Sequence, residues 1–215
     1  IIDLTGMDIS NASLLDESTA AAEAMMMAFK IKKSSKFTFC IQNKCHPQTL
    51  SVLKTRAKPL GIKIIFDKPN EDTFGCLIQN PDTYGEIADL DKLIQHNKQK
   101  EILSIISADI MSLVIMKSPR KFGADIVIGS SQRFGVPMGF GGPHAAFFAT
   151  LDEYKRMMPG RLIGVSVDRT NKRSYRMALQ TREQHIRREK ATSNICTAQA
   201  LLALSLIHIS EPTRP

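Results

Sequence analysis

Arg133 and His144 are the side chains best suited by type to do chemistry, because both stand in a glycine-rich loop framed by apolar runs. The loop reads Gly-Ser-Ser-Gln-Arg-Phe-Gly-Val-Pro-Met-Gly-Phe-Gly-Gly-Pro-His from Gly129 to His144, between Asp125-Ile126-Val127-Ile128 and Ala145-Ala146-Phe147-Phe148-Ala149. Glycine at such places permits a positive φ or unusually close packing, so the backbone can approach a ligand or a partner. The guanidinium of Arg133 could hold a carboxylate or phosphate by bidentate hydrogen bonding, or pair with a structural carboxylate. A fixed cation directly after a buried strand is costly to desolvate, so an anionic partner is expected. His144 could transfer a proton or stack on a cofactor ring, or its ring nitrogens could cap loop carbonyls.

Ser18 and Thr19 open the first long helical stretch, where free N–H groups and the helix dipole favour anions. Plain N-capping is the simpler role for both. Asp109 follows an apolar run and reads as a helix cap. Arg182, His185, Arg187 and Arg188 put cations on one helix face, either a solvated or subunit-contacting surface or a ligand site. Cys40, Cys45, Cys76 and Cys196 lack the Cys-x-x-Cys spacing of a zinc site, so they read as buried thiols of a reducing compartment, and no metal site is expected.

These residues need a frame, and the chain alternates helical and extended patterns. Residues 11–33 open with capping types and continue into Thr19-Ala-Ala-Ala-Glu-Ala-Met-Met-Met-Ala-Phe29, rich in helix formers and apolar on more than one face, which predicts a largely buried helix with Met25, Met26 and Met27 as core filler. Strands are predicted over 36–41, 62–66, 76–79 and 101–107, with a helix from His46-Pro47 to Pro59-Leu60-Gly61, a turn at Asn80-Pro81-Asp82 and an amphipathic helix over 86–97. That alternation predicts an α/β fold whose parallel sheet is covered by helices. A hairpin is predicted from 162–167 and 174–179 around Asp168-Arg169-Thr170-Asn171, and a charged helix over 181–190.

Composition narrows the partners. With 215 residues and 43% apolar content the chain can bury a sizeable core, and its net charge of +8 is scattered along the sequence rather than gathered into a patch interleaved with aromatics. Nucleic acid is therefore not an expected partner. No run approaches the ~18 consecutive apolar residues of a membrane helix, so no membrane contact is expected either. The sequence begins at Ile1 inside an apolar pattern, and from Leu204 the helical pattern of Ala198–Ala203 gives way to Leu-Ser-Leu-Ile-His-Ile-Ser-Glu-Pro-Thr-Arg-Pro. The expectation is a domain over 1–203 cut at both ends, with 204–215 a non-native tail such as a translated sequencing adapter.

Five segments occur in a telling order: Asp-Leu-Thr-Gly-Met-Asp-Ile-Ser-Asn-Ala-Ser-Leu-Leu-Asp-Glu from Asp3, Gly-Ser-Ser-Gln-Arg-Phe-Gly from Gly129, Gly-Gly-Pro-His-Ala-Ala-Phe-Phe from Gly141, Arg-Met-Met-Pro-Gly-Arg from Arg156 and Gln-Thr-Arg-Glu-Gln-His-Ile-Arg-Arg from Gln180. Over residues 2–203 the chain resembles the P-protein family of the glycine cleavage system, glycine dehydrogenase (decarboxylating). The resemblance implies an aspartate-aminotransferase-like large domain, the type I fold of pyridoxal-phosphate enzymes. It implies an activity that decarboxylates glycine with pyridoxal phosphate and passes the aminomethyl group to the lipoyl arm of the H-protein.

Within that family the motifs resemble the N-terminal half, which does not carry the Schiff-base lysine. Judged from the Pro-x-x-Phe-Gly-x-Asp lead-in at Pro119, Arg133 stands at the lysine's place. A guanidinium with pKa above about 12 stays protonated and delocalised, so no Schiff base is expected here. The resemblance then implies no catalytic residue in this chain, pyridoxal phosphate bound by the catalytic half, and a homodimer or heterotetramer with that C-terminal half or with a partner subunit. Ser18, Thr19, Arg133 and His144 are the candidates for a pocket or an interface, and Asp109 could be a relic of a pyridinium-pairing aspartate. A stand-alone interaction or regulatory remnant without catalysis is the alternative. The implied compartment is the mitochondrial matrix in a eukaryote and the cytoplasm otherwise.

Overall fold

The structure is a computed structural model that describes residues 1–33, 35–41, 44–140, 144–179, 201, 202, 204 and 205. In chain order the elements are α1 (Ile2–Thr5), β1 (Ile9–Ser10), α2 (Glu17–Ile31), β2 (Thr38–Ile41), α3 (Pro47–Ala57), β3 (Lys63–Phe66), β4 (Thr73–Asn80), α4 (Leu90–Gln99), β5 (Leu103–Ala108), α5 (Pro119–Phe122), β6 (Ile126–Ser130), β7 (Ala146–Thr150), β8 (Leu162–Val167) and β9 (Arg173–Leu179). Strands β1 to β7 form one sheet in the order β1-β7-β6-β5-β4-β2-β3, and β8 pairs with β9 as the expected hairpin. The charged helix expected over 181–190, its four cations, Cys196 and the tail's His208 and Arg214 lie outside the described residues.

Strands β2 to β6 run parallel, as the alternation of patterns predicts. β7 departs from that rhythm: it lies antiparallel to β6, with Ile128 opposite Phe148 and Ser130 opposite Ala146. The physical reason is the glycine loop itself. A parallel return needs a crossover of about a dozen residues with a helix of its own, whereas a loop can simply turn the chain back along its neighbour.

Side-chain alternation along the strands divides the core into two layers. Phe39, Ile41, Leu77, Ile105, Ile126, Ile128 and Phe148 face the layer that contains α2 and α3. Cys40, Cys76, Ile78, Ile106, Val127, Phe147 and Ala149 face the layer that contains α4. The central strands are apolar on both faces because helices cover both, giving an α/β/α arrangement. Helix α2 is the most buried: Ala20, Ala21, Ala24, Met25, Met27 and Ala28 are all sequestered, so Met25 and Met27 are core filler as expected.

Two boundaries move. The first long helix starts at Glu17, capped by Asp16, because the cap-like residues before it have other duties: the Phe148 N–H donates to Asn11 Oδ1 at 3.0 Å, and Leu14 bridges Ala146. α4 starts at Leu90 because Asp82 draws the Tyr84 and Glu86 N–H groups into a loop, at 2.8 and 2.9 Å, and Asp89 supplies the cap. The described cysteines Cys40, Cys45 and Cys76 are free and buried, and burial pushes the Cys45 thiol up to about 12.

Asp125 gives a pH prediction. Burial raises its carboxyl above the ordinary value, although the Ser104 N–H donates to it at 2.8 Å. A carboxyl whose folded pKa exceeds its unfolded value of about 3.9 contributes stability that is present below that value and lost as pH rises through the folded pKa. Asn keeps an acceptor for Ser104 and cannot ionise. Asp125→Asn should therefore match the parent near about pH 3.5 and become the more stable of the two as pH approaches about 7, read from urea midpoints across that window. A variant less stable at neutral pH would refute it.

Candidate functional site

The carboxyl ends of β4, β5 and β6 open at one edge of the sheet, where the N-termini of α2 and α3 also arrive. Such a crevice is where open α/β sheets take ligands. Here it is a cavity of about 530 Å³. Asp16, Glu17 and Ser18 come from the start of α2, His46, Gln48 and Thr49 from the start of α3, Gln79, Pro81 and Asp82 from the end of β4, Asp109 from the end of β5, and Ser130, Gln132, Arg133 and His144 from the loop between β6 and β7.

The structure thus brings Ser18, Arg133 and His144 onto one cavity, from sites far apart in sequence. Thr19 is not among the lining residues. Its N–H donates to Asp16 Oδ1 at 2.7 Å and its hydroxyl approaches the Asp16 N–H at 3.2 Å, a capping box, so plain capping is its role. Ser18 instead shares a hydrogen bond with the Thr49 hydroxyl at 3.1 Å, tying the two helix starts together.

Arg133 corrects one expectation. The short 3-10 turn Gln132–Phe134 lifts it off the end of β6, and its side chain is 65% exposed, so the burial cost assumed for a cation at this place does not arise. Its partner is Asp109, with Nη2 3.5 Å from Oδ2. An ion pair this open to water contributes less than about 1 kcal/mol. Arg133→Ala should accordingly leave the urea midpoint almost unchanged, and a loss above about 2 kcal/mol would mean a buried contact. Asp109 is not the helix cap expected from the sequence: the short 3-10 turn Ser112–Val114 starts after Met111 with no side-chain cap, and Asp109 Oδ1 instead accepts from the Met111 N–H at 3.1 Å in the loop that leaves β5. His144 is exposed and makes no hydrogen bond among the described residues.

The residues that sequence reasoning overlooks form a hydrogen-bonded corner of the cavity. Glu17 accepts hydrogen bonds from Gln79 Nε2, at 3.1 Å, and from the Ser107 hydroxyl. Gln79 is only 3% exposed, and its Oε1 has no hydrogen-bond partner among the described residues. The available signal was the run Cys76-Leu-Ile-Gln-Asn80, where polar residues end a strand that is otherwise apolar.

Pyridoxal phosphate does not fit this corner. The start of α2 could neutralise a phosphate, but Glu17 already sets a carboxylate there and takes up the Ser107 and Gln79 donors. No lysine stands among the described residues that line the cavity, and Asp109 is paired with Arg133.

Comparison with known proteins agrees on the lineage. A model of the glycine cleavage system P-protein matches residues 1–209. A glycine dehydrogenase (decarboxylating) of Pelagibacter ubique is 59% identical over 208 residues, which are 95% of this chain and 22% of that protein. Its counterpart from Cereibacter sphaeroides is 57% identical over 208 residues, with the same 95% and 22% coverage. The chain therefore spans about a fifth of the length of these curated relatives. Among solved structures, a crystal structure of glycine decarboxylase (P-protein) of the glycine cleavage system, in inhibitor-bound form, superposes with a TM-score of 0.90 at 34% identity, covering 100% of this chain and 51% of that one. A cystathionine gamma-lyase from Lactobacillus plantarum, at 16% identity and a TM-score of 0.57 over 71% of this chain and 40% of its own, shares the fold alone. The fold is the aspartate-aminotransferase-like type I fold expected from the sequence. With a family model matched along almost its whole length and relatives of this identity, the chain belongs to the P-protein family of the glycine cleavage system.

Proposed function

We propose that this chain is part of the half of glycine decarboxylase that carries no Schiff-base lysine. In the assembled enzyme, pyridoxal phosphate supplies the electron sink for decarboxylating glycine and is held by the catalytic half. This chain shapes the neighbouring wall and the approach of the H-protein's lipoyl arm. The observation that carries the reading is the cavity at the carboxyl edge of the sheet, where Arg133 rather than a lysine follows β6 and Glu17 occupies the helix start that a cofactor phosphate would need. A guanidinium cannot lose its proton to become the attacking amine. The assembly is a homodimer or heterotetramer in this reading. Its compartment in this reading is the mitochondrial matrix if the source is eukaryotic and the cytoplasm otherwise.

The test is chemical mapping. The full-length enzyme loaded with pyridoxal phosphate is reduced with borohydride, digested, and its pyridoxyl-bearing peptide sequenced. The label is expected on a lysine outside residues 1–203. A pyridoxyl-lysine inside that span would overturn the assignment.

A further inference from the structure

We propose that Cys40 and Cys76 form a reversible oxidation site, a pair of thiols that closes to a disulfide when hydrogen peroxide reaches it and reopens with a thiol reductant. Strand register carries the inference. Cys40 of β2 stands directly opposite Cys76 of β4 in a parallel pair, and both side chains lie on the face of the sheet that α4 covers. Neighbouring strands are about 4.8 Å apart, inside the span of roughly 4.4–6.8 Å between Cα atoms that a disulfide bridges. The two thiols already share a hydrogen bond. Joining them asks for side-chain rotation rather than a change of register. Cys45 is no rival for either, because it belongs to the opposite layer, with α2 and α3.

The same face offers a route to the pair. A second cavity, of about 330 Å³, lies between β4 and α4, with Cys76 and Ile78 of β4 and Leu93, His96 and Asn97 of α4 among its walls. It shares no lining residue with the crevice at the carboxyl edge of the sheet. Cys40 is not among its walls, so an oxidant meets the pair at Cys76. The pair also supplies the nucleophile. The hydrogen bond from Cys76 holds the Cys40 thiol below its ordinary value, and the same bond together with burial pushes Cys76 well above it. One proton is thus shared between two sulfurs, and its exchange puts the reactive thiolate on either. As thiolate, Cys76 attacks one peroxide oxygen; the O–O bond breaks, and the departing hydroxide takes the Cys40 proton and leaves as water. The Cys40 thiolate then displaces hydroxide from the Cys76 sulfenic acid, and the S–S bond forms. The two sulfurs lose two electrons in all, and one peroxide is reduced. In a reducing compartment such a bond is transient.

The experiment treats the folded full-length enzyme with millimolar hydrogen peroxide, blocks the remaining thiols with N-ethylmaleimide, and digests the chain with trypsin in the absence of reductant. Mass spectrometry is expected to find the peptide 37–44, which holds Cys40, joined to the peptide 64–92, which holds Cys76. After dithiothreitol the two should return as separate peptides. Cys40→Ser should abolish the link and leave Cys76 as a sulfenic acid that dimedone traps, because the sulfur that displaces hydroxide is gone. If that variant fails to fold, the peptide map of the unaltered enzyme decides. No linked peptide after peroxide, a link from either cysteine to a third one, or a link that forms only once urea has unfolded the chain would overturn the proposal.

Discussion

Gly129→Ala is expected to destabilise the chain by about 3 kcal/mol or more, the top of the range for forcing atoms into a packed core. Gly129 is the fourth residue of β6, between β5 and β7. A methyl group there would lie 2.3 Å from the Ala108 carbonyl oxygen and 2.8 Å from two ring carbons of Phe147. The first contact is backbone of the neighbouring strand, which cannot rotate away, and Phe147 is itself 3% exposed with no free space to enter. Relief requires β6 to move, and with it Ser130, Gln132 and Arg133, which form one wall of the cavity. A urea midpoint lowered by that amount with an unchanged slope would confirm the clash. A variant within about 1 kcal/mol of the parent would show that the strands part more easily than their packing implies.

The glycine loop was thus legible as a place of close approach, while the reason lay in residues the sequence sets far away. What could be read directly was whatever depends on local pattern: Ile126-Val127-Ile128 and Leu77-Ile78 are apolar on consecutive residues, and only strands buried on both faces need that. Strand direction has no such local signature, so β7 was not distinguishable as antiparallel from its own residues. The loop before it was a usable clue, since 131–145 holds prolines and glycines but no helical period on which a parallel crossover could be built. Asn11 and Ser13 resemble caps by type, yet both are buried and Asn11 serves β7. At the site, Arg133, His144 and Ser18 were visible as chemistry-bearing residues near turns and helix starts. Glu17 and Gln79 were not, because their meeting joins positions 62 apart, and the Ser107 contact joins positions 90 apart. Exposure was the other blind spot: a residue following a buried strand looks desolvated until the turn that carries it outward is known.

Phe74→Ala should have the other large effect, a loss of about 3–5 kcal/mol. Its ring is fully buried, with centroids 5.3 Å from Phe29 and 5.4 Å from Phe39, so it joins the last turns of α2 to β2 and β4. The upper part of the range applies because the neighbours have little freedom to fill the void: a methyl group on Gly75 would already lie 3.1 Å from the Phe39 ring, which is held against the backbone of β4. Phe37 is the internal comparison. It also meets Phe29, edge to face at 5.4 Å, but it is 45% exposed, so Phe37→Ala should lose no more than about 1 kcal/mol. The two substitutions remove the same atoms and differ only in how much water they already saw. Equal losses for Phe74→Ala and Phe37→Ala would mean that this aromatic cluster contributes its area alone, and that the space left by Phe74 closes as readily as a surface.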